Sequence, residues 1–280
     1  MSGWNRIAVS FFEDPRWARR FYIATGLSLA AYTANALLGE IDAGSVWGYV
    51  YGLLATLLML GAAAIGLRRR VNRTAARRAL GTTRDWLQFH LYGGTIALLL
   101  VFMHCGFAVP TGALDFWLWV LSIWVTASGL VGALLQKIVP RMLASGLAVE
   151  VVYERIPELV ADLRQRAEAL ATASADPVRE FYARRMSAAF ERPEARWIYL
   201  TDITGGIQAR LREFAYLEGV LSAEERERFV QLRELYRTKL EIDAHYTLQK
   251  PLRAWLVTHL PVSFLLLALL FLHIFSVVYY

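Results

Sequence analysis

Residues 86–114 read WLQFHLYGGTIALLLVFMHCGFAVPTGAL, and residues 254–280 read AWLVTHLPVSFLLLALLFLHIFSVVYY. Neither stretch holds an Asp, Glu, Lys or Arg. At 29 and 27 residues, both exceed the roughly 20 that a helix needs to cross a bilayer's hydrocarbon core. Three more charge-free runs, 21–39, 43–67 and 116–136, are 19, 25 and 21 residues long. In a chain of 280 residues that is 56% hydrophobic and 19% charged, five such runs cannot all be hidden inside one 31.7 kDa globule. The sequence predicts an all-α fold, a polytopic membrane helical bundle with five transmembrane helices.

The net charge of +6 reports orientation. Residues 137–254 hold 19 Lys/Arg and 18 Asp/Glu, leaving 11 basic residues elsewhere. Those 11, from Arg6 to Arg84, all precede helix 1 or lie between helices 2 and 3. The 1–2 and 3–4 connections carry Glu40, Asp42 and Asp115 and no basic residue. By the positive-inside rule the N-terminus is cytoplasmic and the C-terminus lies on the outer side of a cell inner membrane. The Arg run at 68–78 flanks a spanning helix, so the pI near 9.5 argues for a membrane surface and against nucleic acid. Nothing in the first 20 residues reads as a cleavable signal. A single cysteine, Cys105, excludes an internal disulfide, a four-cysteine iron–sulfur cluster and thioether-attached haem.

Four segments follow: a cytoplasmic one at 1–20, helices 1–4 over 21–136, an insertion at 137–253, and helix 5 over 254–280. The insertion is charge-rich and amphipathic, with helices expected at 156–174, 177–190, 206–219 and 222–245, and reads as a helical cytoplasmic cap between helices 4 and 5. Ser222 and Glu225 form a capping-box pattern, and Pro177 and Pro193 punctuate the others. The cap contains no dinucleotide fingerprint, phosphate loop or zinc spacing. Gly48, Gly52 and Ala55 make a small-residue ridge on helix 2, suited to close helix packing.

Five histidines occur, and four of them form a pattern: His90 and His104 on helix 3, His259 and His273 on helix 5. Within each helix the two are 14 residues apart, which is four turns less 40°, so both rings leave nearly the same face about 21 Å apart along the axis. Helices 3 and 5 run in the same direction. His90 is therefore expected to meet His259 near the inner face, and His104 to meet His273 near the outer. Two facing imidazoles suit the two axial positions of a haem iron, whereas a zinc or copper site gathers its ligands into one sphere. The competing reading is a haem-free transporter or scaffold that uses the histidines as a proton path.

The H-x13-H pattern on two helices resembles the di-haem cytochrome b fold, as in the membrane domain of ferric reductases and NADPH oxidases and, more distantly, cytochrome b of bc complexes. The resemblance covers helices 2–5. It implies two haem b groups, with His90 and His259 on the inner iron and His104 and His273 on the outer, and electron transfer across the bilayer as the subunit of a membrane oxidoreductase. The flavin and nicotinamide module of the reductases has no counterpart after Tyr280, and the P-E-W-Y quinol motif is absent, Pro193-Glu194 being followed by Ala195. The implied partners are therefore redox subunits on the outer or cytoplasmic face, with quinone as a further ligand candidate.

Secondary candidates surround the pattern. Arg84, Lys250 and Arg253 lie within a turn or two of the inner ligands and could pair with haem propionates or simply anchor the helices. Gly93 and Gly94 follow His90 by three and four positions and could make room for a porphyrin. Outer propionates would fall to neutral donors such as Tyr279, Tyr280, Trp47 or Thr111, or to a partner. His245 stands 14 before His259, but Pro251 and Pro261 are expected to interrupt that helix. Trp255, with Trp4, Trp17, Trp47, Trp117 and Trp119, is read as part of an interfacial aromatic belt.

Overall fold

The computed structural model describes residues 14–71, 81–146 and 151–279. Every regular element among them is helical, and five helices are long and apolar enough to cross a membrane, as a multi-pass membrane protein requires. Arg6, Arg73, Arg77, Arg78 and Tyr280 lie outside the described residues. The described residues fall into two compact units, one running up to Leu134 and resuming at Trp255, the other spanning Leu135–Ala254.

The first unit holds α1, Pro15–Leu38, α2, Val46–Val71, α3, Thr83–His104, the part of α4, Ala113–Gly146, up to Leu134, and the part of the last helix from Trp255 on. Two of the starts are capped by a side chain. Asp14 caps α1 by accepting the Arg16 N–H, with Pro15 at the first helical position. Thr82 caps α3 by accepting the Asp85 N–H and donates its own hydroxyl to the Asp85 carboxylate. Asp85 also accepts the Trp17 indole N–H at 3.3 Å, which ties the start of α1 to that of α3. The charge-free run 86–114 does not form one helix. It stops at His104 because Gly106 takes φ +61° in a turn where a β-carbon would sit 2.1 Å from the Ile41 carbonyl oxygen. Hydroxyls within the spans, such as Thr95 and Ser122, donate to the carbonyl four residues back, satisfied where no water reaches.

The second unit takes in α4 from Leu135 on, followed by a 3-10 turn at Tyr153–Arg155 and α5 at Ile156–Thr172. The helix expected over 177–190 divides: α6 is only Asp176–Phe181, followed by a π turn at Tyr182–Met186 and a 3-10 turn at Ser187–Phe190. After α7, Ile203–Glu218, comes α8, which runs unbroken from Ala223 to Tyr279. The helices expected at 222–245 and 254–280 are therefore one, and Pro251 and Pro261 do not interrupt it. Proline removes one N–H per site, and long helices with packed neighbours tolerate that loss.

An aromatic core of Phe190, Tyr199, Phe214, Phe229 and Tyr236 fills the second unit. Inside it, Lys239 and Asp243 are fully buried and joined by two 2.7 Å contacts, and Asp243 also accepts the Glu194 N–H. Burial pushes the Tyr199 phenol up to about 12, and its buried hydroxyl has no hydrogen-bond partner among the described residues. His245 is buried in the same unit, its Nδ1 3.3 Å from the Gln249 amide nitrogen. Lys250 lies over the Tyr246 ring, and Arg253 over the Tyr153 ring with its guanidinium on Glu154.

Candidate metal-ligand histidines

Each of the four paired histidines is held through the same atom. His90 Nδ1 lies 2.9 Å from the Ala62 carbonyl oxygen, and His104 Nδ1 lies 2.8 Å from the Gly48 carbonyl oxygen. A carbonyl only accepts, so both Nδ1 atoms carry the proton. His259 Nδ1 lies 2.8 Å from Ser128 Oγ, whose own hydroxyl donates to the Val125 carbonyl and so accepts from the imidazole. His273 Nδ1 lies 2.9 Å from a carboxylate oxygen of Asp115. In each ring, when it is neutral, the other nitrogen, Nε2, then keeps its lone pair. This is the tautomer a metal-binding imidazole requires, and fixing it through the far nitrogen is the usual task of the groups around a metal site.

The backing helices make these contacts possible by being thin where the rings arrive. The acceptors on α2, Gly48 and Ala62, are themselves 14 residues apart, matching the 14 between His90 and His104 on antiparallel α3. A β-carbon on Gly52 would stand 2.9 Å from His104 Nδ1, so the glycine lets that ring reach the backbone. On the other side, Trp255 stacks on His259 at 5.4 Å and donates its indole N–H to the Ser128 carbonyl. Its ring fills the space above Gly132, where a β-carbon would collide with it at 1.9 Å. Trp255, expected in the interfacial belt, also braces a histidine.

His90 and His259 line one cavity of about 700 Å³, and His104 and His273 line another of about 1760 Å³, each counting the space open at its mouth. Met59, Ser122 and Leu266 line both, so the two cavities share a wall within the bundle. The His104 and His273 ring centres are 6.3 Å apart, with planes 81° to one another. Among the described residues no three His, Cys, Asp or Glu side chains gather as ligands for a metal ion. The chain offers histidines in twos, not in a sphere.

The other expected site residues fall in different places. Gly94 lines the His90/His259 cavity with open space beside it, while Gly93 is buried with Phe89 nearest. Arg84 is exposed in the first turn of α3 and is not among that cavity's lining residues, and Lys250 and Arg253 belong to the second unit. Thr111 lines the larger cavity, and neither Trp47 nor Tyr279 does. Sequence reasoning missed Ser128 and Asp115 as partners of the rings. Comparison with protein-family models, curated proteins and solved structures finds no match for this chain.

Proposed function

We propose that this chain is the di-haem cytochrome b subunit of a membrane oxidoreductase, with His90 and His259 as axial ligands of one b-type haem and His104 and His273 as those of the other. The observation that carries the reading is that all four rings are tied at Nδ1, which leaves Nε2 of a neutral ring for a metal, in pairs that share a cavity. The ring separation supports it too. The His104 and His273 ring centres, 6.3 Å apart, are close enough for both side chains to hold one haem iron between them. The apolar walls around both pairs suit a porphyrin's faces.

A bis-imidazole haem supplies one-electron exchange without an open position for oxygen. The chain's part is to hold and orient. The Ala62 and Gly48 carbonyls, Ser128 and Asp115 fix the tautomers, Trp255 braces one ring, and the apolar walls exclude water. A proton path fits these contacts poorly, because a relaying imidazole must release one N–H as it gains the other, and a carbonyl that holds Nδ1–H opposes the release. The charge asymmetry supports a cytoplasmic N-terminus, which puts His104 and His273 toward the outer side and leaves electron donors and acceptors, proteins or quinones, to come from outside this chain.

Purified protein is expected to be red, with a reduced b-type spectrum and about two haems per chain. A colourless, folded preparation would end the proposal. His90→Ala and His259→Ala should each remove one and the same spectral component, and His104→Ala and His273→Ala the other.

A further inference from the structure

The four groups that hold the rings are not alike. His90, His104 and His259 donate Nδ1–H to neutral oxygens, whereas His273 donates to a carboxylate. We propose that Asp115 is a positioning residue that makes the haem held by His104 and His273 the lower-potential one of the two, an inference that rests on the di-haem reading. A carboxylate accepting from the far nitrogen draws that proton toward itself, so the ring gains anionic character and becomes a stronger ligand. A stronger donor favours ferric over ferrous iron. The other pair has only the Ala62 carbonyl and the Ser128 hydroxyl in the corresponding places.

The placement of Asp115 is built. It occupies the first turn of α4, where a negative charge meets the positive end of the helix dipole. Gly112 leaves it room, since a β-carbon there would stand 2.8 Å from its second carboxylate oxygen. The equilibrium concerned is one electron added to ferric iron to give ferrous, and in the test that electron comes from dithionite.

The test is a potentiometric titration of the purified full chain with dithionite and ferricyanide, read in the b-type absorption bands and by electron paramagnetic resonance. In Asp115→Asn the lower-potential component should rise by about tenfold in its one-electron constant, or about 59 mV, while the other stays in place. Asp115→Glu should restore most of the shift. The component that moves must be the one that His273→Ala removes. Where Asp115→Asn fails to retain that haem, Asp115→Glu decides alone: its component stays the lower one if the carboxylate sets it, and rises to meet the other if the side chain merely packs. Components that move together, or neither moving while both persist, would overturn the inference. A wild-type preparation without haem sinks the di-haem reading itself; a two-haem preparation in which Asp115→Asn titrates like wild type sinks only the role of Asp115.

Discussion

The two units put the same kinds of residue in opposite places. In the first, Leu27, Leu53 and Phe264 face outward with 67%, 62% and 64% of their surface exposed, and the interior holds isolated polar contacts such as Asn35 to the Tyr51 hydroxyl at 2.8 Å. In the second, Phe190, Tyr199, Phe214, Phe229 and Tyr236 are inside and the surface is laced with pairs such as Arg164–Glu168 and Arg166–Asp162. Burial of apolar area drives folding only where water is the alternative. Against lipid, helices associate through close backbone approach and specific hydrogen bonds, and in the first unit glycines sit where rings must arrive. Substitutions that cost most in one unit should therefore be of a different kind from those in the other.

The largest expected effect is in the second unit. Lys239→Met leaves Asp243 buried without its cation and should destabilise the unit by about 3–5 kcal/mol. Adding Asp243→Leu should recover most of that, as urea unfolding followed by circular dichroism and limited proteolysis can check. Recovery that fails would mean the ion pair stabilises the unit beyond its volume.

Next comes alkaline pH. The Tyr199 phenol, raised from 10.0 to about 12 by burial, contributes stability fully present below pH 10 and lost as pH rises toward about 12. Two pH units correspond to about 3 kcal/mol. Melting of the second unit should fall over that window, and Tyr199→Phe should flatten the fall.

Third, Gly52→Ala places a β-carbon 2.9 Å from His104 Nδ1 and should cost about 1–3 kcal/mol while displacing that ring. Its expected signature is weakening of the spectral component shared with His273. Gly129→Ala meets His259 at an ordinary 3.5 Å, and Gly66→Ala meets nothing within 4 Å, so both should be silent. Equal effects from all three would mean helix packing alone is being measured. The smallest effect is Tyr199→Phe at neutral pH, within about 1 kcal/mol, since the hydroxyl removed has no partner among the described residues.

The five apolar helices were legible because in lipid a helix needs little beyond length and the absence of charge. Their ends were less so. The run 86–114 hid a turn at Gly106, whose necessity comes from the approach of Ile41, and α8 crossed two prolines. In the candidate site, the spacing of 14 was enough to place His90 and His104 on one face. What holds the rings was not readable, because two of the four acceptors are backbone carbonyls, which every residue possesses. The Gly48 and Gly52 ridge signalled a close approach without saying that an imidazole makes it. Asp115 read only as a sign of orientation, and Ser128 carried no signal.

The matched spacing on α2 and α3 has a consequence for how this chain can change. Gly48 and Ala62 on one helix and His104 and His90 on the other form two rungs of equal separation on antiparallel rods. One residue inserted between the rungs on either helix rotates everything beyond it by about 100° and advances it about 1.5 Å, so only one rung can stay engaged. Side chains in the intervals 49–61 and 91–103 can be exchanged freely where they face outward, but the number of residues cannot. These two segments act as a ruler: their lengths should stay fixed in any functioning variant, while the outward-facing residues between the rungs drift.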